Sequence, residues 1–253
     1  EGLKYLFVPD FSKMTGDVML AALGQAFFSL SLGMGCMITY ASYLDKKENL
    51  VENATIVPIM DTGVALLSGL VIIPATVALG FDLGQGPGLV FVTVPAIFAT
   101  MGPVVGRIFG LIFFILLSLA ALSSSLSLLE VVVSYLIDNR GWERKKAVAV
   151  TSIVLFIICI VASLSMGPLS GFTIIGMNFF DLLDWFANAI LLPIGGIFIT
   201  LYVGWLMGKD RVRAEVTNDG TVKFALFEVW MFLCKFVIPA IVTLVLLSGI
   251  GIL

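Results

Sequence analysis

The sequence predicts an all-α, polytopic membrane protein, and three observations carry that prediction. Hydrophobic residues make up 60% of the 253 and charged residues only 12%, with a mean hydropathy of +1.12, and no soluble globular class has that composition. Apolar runs recur that are long enough to cross a bilayer, for which about 20 residues suffice. Short polar or Gly/Pro-rich stretches separate them. The absence of histidine excludes His-based catalysis and His metal sites, and Cys36, Cys159 and Cys234 each sit alone in an apolar run, so neither a disulfide framework nor a zinc cluster is indicated. The net charge of −3 carries little information when most residues face lipid. The chain begins with Glu and has no signal peptide, so it is expected to be the later part of a longer protein.

Taken in order, residues 1–16 are short, mixed and turn-rich and read as an external loop. The first span, about 17–43, is long enough to cross, yet Ser29, Ser31, Gly33 and Gly35 fall within seven residues of its middle. Glycine in a helix interior costs roughly 1 kcal/mol relative to Ala. In hydrocarbon each freed backbone group costs several kcal/mol, so a break there persists only if it lines a wet or ligand-filled cavity. Transporters build substrate and ion sites from such discontinuous helices; the alternative is a small-residue face for close helix packing. A polar loop, Leu44–Asn49, leads to the second span, about 53–79, which carries Pro58, Asp61 and Pro74. Residues 80–102 are Gly/Pro-rich and interrupted, and read as an external re-entrant or capping loop. The third span, about 103–137, is longer than a bilayer needs and is expected to tilt or project. Further spans follow at about 144–166, 180–207 and 224–250.

Lys and Arg orient these spans. Lys46, Lys47, Arg140, Arg144, Lys145, Lys146, Lys209, Arg211, Arg213 and Lys223, ten of the 14 basic residues, fall in loops after the first, third and fifth spans. The positive-inside rule makes those loops cytoplasmic and both chain ends external. An external start again implies earlier spans.

Three constellations could carry chemistry. Asp61 lies inside an apolar span where an Asp costs about 2.5–3.5 kcal/mol, and no cationic side chain shares that span, so a bound cation is an attractive partner; the alternative is a hydrogen bond to a neighbouring helix. In Ala120-Ala121-Leu122-Ser123-Ser124, the residues Ala120, Ser123 and Ser124 stand at i, i+3 and i+4, which can converge one carbonyl and two hydroxyls suited to a monovalent cation. Against that, Ser in membrane helices commonly bonds its own helix or a facing one. Glu130, Asp138 and Asp184 complete the acidic set and suit ordinary interfacial positions as well. Gly33-Met34-Gly35 is no nucleotide loop, because no strand and no GxGxxG frame surrounds it. No nucleic-acid partner is expected.

Together GQAFFSLSLGMGCMITYASYL (24–44), the TVPAIF segment, AALSSSLSLLE (120–130) and DLLDWFAN resemble the neurotransmitter:sodium symporter family over the whole chain, in order and spacing. The resemblance implies a LeuT-type inverted-repeat fold, of which this chain would hold transmembrane helices six to eleven, the first of them broken. It implies that the carbonyls of Phe28 and Ser29 and the hydroxyl of Ser31 hold a substrate ammonium group, with Phe28 as an aromatic lid. Met34, Ser124 and Leu128 would line the same pocket; the leucine-transporting relative has Phe at the Met34 position. A first sodium site would use Ser29 and Asp61, and a second Ala120, Ser123 and Ser124. Asp184 resembles the external gate carboxylate, and Ser42, Tyr43 and Asp138 the cytoplasmic gate, each with its basic partner in a missing N-terminal half. Most relatives carry Asn where Asp61 stands, and Ala65 stands where chloride-dependent relatives carry Ser, so transport without chloride is expected.

The reading that follows is a sodium-coupled symporter, not an enzyme, in the bacterial inner membrane, importing hydrophobic L-amino acids by alternating access. Its partners would be the substrate, sodium ions, the lipid bilayer and the missing half. Its rivals are an amine transporter of the same family and a non-transporting channel or scaffold subunit.

Overall fold

A computed structural model describes residues 2–84 and 86–252. It is helical throughout apart from turns and one isolated bridge between Ile174 and Met177. Among the described residues five helices are long and apolar enough to cross a membrane, and the stretch 17–43 is divided between two shorter helices.

The chain divides into two compact units. The first comprises Glu1–Met14 and Ile56–Ser125. Here residues 1–16, read as loop, include a helix α1, Gly2–Phe7, and a single 3-10 turn, Phe11–Lys13. Asp10 caps that turn, accepting the Ser12 N–H at 3.1 Å; bonds from Ser12 hold its carboxyl below the usual range. Gly2 lies so close to Pro74 that a Cβ there would stand 2.3 Å from the Pro74 Cα. That contact seats α1 on the helix containing Pro74, α4 (Leu50–Ala78), whose interior holds Pro58 and Pro74. The stretch 80–102, read as an interrupted loop, carries the short apolar helix α5, Leu89–Thr100. Its carbonyl at Phe98 approaches Gly106 to within 2.0 Å of where a Cβ would sit, and the Phe98 and Phe113 rings meet edge-on at 5.6 Å.

Gly106 lies in the first turn of α6, Val105–Arg140, whose 36 residues rise about 54 Å at 1.5 Å each. That exceeds the roughly 30 Å hydrocarbon core. Gly141, at φ 64°, ends the helix and reverses the chain.

The second unit comprises Thr15–Thr55 and Leu126–Leu253. Thr15 caps helix α2, Gly16–Ser29, accepting the Val18 N–H at 3.3 Å. After a six-residue break comes α3, Cys36–Ser42. Helix α7 is Arg144–Ser165. At its end the buried Ser165 hydroxyl receives the Phe180 N–H at 3.0 Å, joining it to α8, Phe179–Leu206. Asn178 caps α8 on the Asp181 N–H. The polar stretch 208–223 includes a short helix, α9, Lys209–Val216, and α10 is Phe227–Gly249.

The core of this unit is the α8–α10 contact. Trp185 Nε1 donates to the Gly249 carbonyl at 3.0 Å, and Gly249 sits where a Cβ would be 2.9 Å from that of Ala189. At the other end Val212, Phe227 and Met231 are buried together under α9. Lys209 Nζ pairs there with Glu228 at 2.7 Å, and Arg213 pairs with the same carboxylate.

Candidate substrate and ion site at the broken helix

The break is built by local chemistry. The hydrogen-bond ladder of α2 closes with the N–H groups of Leu30, Ser31 and Leu32 on the carbonyls of Ala26, Phe28 and Phe27, at 3.1, 3.1 and 2.9 Å. That of α3 opens with the Thr39 N–H on the Gly35 carbonyl at 2.9 Å. Residues 30–35 lie in neither helix, and no ladder runs across them. Ser31, Gly33 and Gly35 take φ values of 53°, 77° and 85°, a region closed to most side chains but open to glycine. Helices cannot pass through such a run, so the sequence's cluster of Ser and Gly becomes two half-helices. The carboxyl end of α2 carries about half a negative charge, which favours a cation there. Phe28, at that end, is 50% exposed.

Close contact with α8 fixes where the break lies. A Cβ on Gly33 would be 2.3 Å from the Leu192 carbonyl oxygen, one on Gly195 would be 2.2 Å from the Gly33 oxygen, and one on Gly196 would be 2.6 Å from Cε1 of Phe27. A cavity of about 240 Å³ opens beside this contact, lined by Ser31, Met37, Ile38, Ile199, Thr200 and Ile238 among others.

α3 is anchored on the C-terminal half of α6. The Tyr40 hydroxyl bonds Ser127, and the buried Cys36 thiol points to the Ser127 carbonyl at 4.0 Å. The Tyr43 hydroxyl donates to Glu130 at 2.7 Å. Arg144 grips the same carboxylate with two bonds, at 2.9 and 2.7 Å. Ser42 turns its hydroxyl back onto the Thr39 carbonyl at 2.6 Å. Ser42, Tyr43 and Asp138 line one cleft together with Arg144.

The candidate residues therefore fall into two sets. Phe28, Ser29, Ser31, Met34, Leu128, Ser42, Tyr43, Asp138 and Asp184 belong to the second compact unit, and Asp61, Ala120, Ser123 and Ser124 to the first. Within the first unit Asp61 is half-buried in the interior of α4. The Ser123 hydroxyl donates to the Ala120 carbonyl at 2.8 Å, so two of the three oxygens in the second candidate ion site already face one another. Asp184 Oδ1 accepts from Asn188 at 2.8 Å, and the Asn188 side-chain oxygen is buried without a partner among the described residues. Two features escaped the sequence reading. Gly195-Gly196 was a legible small pair in mid-span. The Glu130–Arg144 pair was not legible, because only the Gly141 reversal brings residues 14 apart together.

Known proteins resemble this chain in sequence and, for one solved structure, in fold. The chain is 36% identical over its full length to the "Uncharacterized sodium-dependent transporter YhdH" of Bacillus subtilis, covering 56% of that protein. It is 34% identical to an uncharacterized sodium-dependent transporter of Haemophilus influenzae, over 99% of this chain and 54% of that one. The chain thus spans about half the length of the curated relatives it matches. Among solved structures, the crystal structure of MhsT in complex with L-phenylalanine superposes with a TM-score of 0.88 at 42% identity, over 98% of this chain and 56% of MhsT. The model of the "Sodium:neurotransmitter symporter family" matches residues 1–252. A helical chain that crosses the membrane repeatedly, breaks its first span at a glycine contact and matches that model almost end to end belongs to the sodium:neurotransmitter symporter family.

Proposed function

We propose that this chain carries the sixth to eleventh transmembrane helices of a sodium-coupled symporter, and that the whole transporter imports hydrophobic L-amino acids by alternating access. The observation that carries the reading is the break at residues 30–35, in a chain 42% identical to a protein crystallised with L-phenylalanine. Relatives whose names specify amines lie further off; the Drosophila serotonin transporter is 26% identical.

In this reading the carbonyls of Phe28 and Ser29 and the Ser31 hydroxyl receive the substrate ammonium group. The Phe28 carbonyl accepts the Ser31 N–H and keeps a second lone pair for that role. Met34, Ser124 and Leu128 line the side-chain pocket, and the flexible, polarizable Met34 tolerates several side-chain shapes. One sodium ion is held by Ser29 and Asp61, and a second by the Ala120 carbonyl with Ser123 and Ser124. The first touches the substrate carboxylate, so ion and substrate strengthen each other's binding by one shared coupling energy. Asp184 gates the external side, and Ser42, Tyr43 and Asp138 the cytoplasmic side. The missing N-terminal half supplies the other broken helix and the gates' basic partners. With the fixed charge of Asp61 present and an apolar Ala65, transport needs no chloride.

The test is uptake of a labelled amino-acid panel by the full-length protein in vesicles. Concentrative uptake of phenylalanine or leucine under a sodium gradient, absent with potassium and unchanged when gluconate replaces chloride, is expected. Uptake of serotonin but not of amino acids would favour the amine reading. Equilibration without accumulation would favour a channel, and collapse in gluconate would overturn the chloride assignment.

A further inference from the structure

We propose that Gly195 and Gly196, in the middle of α8, are positioning residues for the broken helix: their missing side chains leave the space in which the turn at Gly33 seats. The inference rests on the transport reading above and deepens it, since the groups so positioned are the substrate and sodium ligands at Phe28, Ser29 and Ser31.

Three contacts carry it, and they interlock. The Gly33 oxygen occupies the place of a Gly195 side chain, at 2.2 Å from the Cβ position. The Leu192 oxygen occupies that of a Gly33 side chain, at 2.3 Å. The Phe27 ring occupies that of Gly196, at 2.6 Å. Real Cβ contacts do not fall below about 3 Å, so a methyl group at any of these positions must move something. At Gly195 and Gly33 the obstacle is backbone, which belongs to a helix on one side and to the break on the other. α8 is the stiffer partner: it continues through the contact and is tied to α10 by the Trp185–Gly249 bond. The break, which has no helical ladder across residues 30–35, is the part that shifts. Displacing Gly33 displaces Ser31 and the α2 carboxyl end with it. Phe27 is only 8% exposed, so its ring cannot swing clear of a methyl on Gly196 without moving α2. The glycine pair therefore acts on the site through the backbone of the break, at one remove from any ligand.

The test uses the full-length transporter in a Cys159→Ser background, since Cys159 is exposed. Gly195→Ala and Gly196→Ala are each expected to raise the half-saturation concentrations for L-phenylalanine and for sodium together by about ten-fold, the effect of overfilling a close-packed contact by one methyl, without an equal fall in maximal rate per folded molecule. Combining Phe27→Leu with Gly196→Ala removes the obstructing ring edge and should restore both values to within about three-fold of wild type. Gly171→Ala, which has open space around it, should change neither.

A second readout does not depend on transport. Cys36 is 2% exposed and begins α3 immediately after the break, so both glycine variants should speed its labelling by a maleimide. Failure of the wild-type protein to take up amino acids would remove the transport reading while leaving this labelling result to judge the glycine contact. Folded Gly195→Ala and Gly196→Ala proteins with wild-type half-saturation and labelling would overturn the proposal. So would variants that lose only yield while their folded fraction behaves as wild type. If Gly195→Ala yields no folded protein, Gly196→Ala with its Phe27→Leu rescue decides alone.

Discussion

Asp61 is an ionisable group in the interior of a 29-residue apolar helix, and the sodium role proposed for it can be tested directly. A carboxylate at such a depth is retained when it meets a charge of opposite sign. Asp61→Ala in the full-length protein is expected to lower the sodium sensitivity of phenylalanine binding by ten-fold or more, about the worth of one charge-assisted contact. A sodium titration of binding checks this, and an unchanged titration would remove Asp61 from the ion site. Ser31 tests the substrate side. Its left-handed backbone, at φ 53°, is tolerable in a short polar residue, and its proposed bond is to a charged ammonium group. Ser31→Ala should weaken phenylalanine binding by about ten-fold at saturating sodium, since hydrogen bonds to charged groups are worth about 1.5–3 kcal/mol. Equilibrium binding that stays within two-fold would place the ammonium elsewhere.

At the scale of elements, α3 is seven residues long, too short to be stable alone, so its placement depends on what it touches. Tyr43 and Arg144 meet on one Glu130 carboxylate, whose side chain is only 20% exposed. The Arg144 side chain is itself 62% exposed, so the weight of this contact lies in its geometry: one carboxylate takes two bonds from Arg144 and one from Tyr43, and removing the acid breaks all three. Glu130→Ala should therefore loosen α3 from α6 and raise the maleimide reactivity of Cys36 several-fold, whereas Glu228→Ala, which breaks exposed pairs with Lys209 and Arg213, should leave that reactivity unchanged. Prolines show a different resolution. Pro95, Pro193 and Pro239 each follow a stretch of π-helix, at Leu89–Thr93, Phe186–Leu191 and Leu233–Val237. Proline has no N–H and crowds the carbonyl four residues back. Widening the helix in each case makes room at that carbonyl, so the span continues instead of breaking. Where Pro239 cannot serve the Lys235 carbonyl, the Trp205 indole N–H does so at 3.1 Å.

For the whole molecule, the distribution of charge makes an orientation prediction. Lys46 and Lys47 follow the broken span and Asp82 follows α4, so these loops should lie on opposite faces of the membrane. In a Cys159→Ser background, Asp82→Cys should react with an impermeant thiol reagent in intact cells and Lys46→Cys only after permeabilisation. The reverse pattern would invert the topology. α6 has about 20 Å more length than the hydrocarbon core requires. Its surplus includes Asp138 and Arg140, which places the α3 anchor near the cytoplasmic surface in this orientation.

Composition and hydropathy alone determined the helical membrane class and the approximate places of the spans, because hydrocarbon admits only helices or closed barrels and demands long apolar runs. The family was legible for a similar reason: the Ser/Gly cluster at 29–35 is a backbone requirement written directly in residue types. The short helices at Gly2–Phe7, Leu89–Thr100 and Lys209–Val216 were not legible. They are held by contacts with distant residues, as Gly2 is by Pro74 and α9 by Phe227 and Glu228, and local sequence records no such partner. Tertiary structure alone decided that Glu130 serves Arg144 and Tyr43, and that Gly195 and Gly196 receive the break. Both depend on which atoms lie within a few ångströms after the chain has folded back, and sequence spacing does not encode that distance.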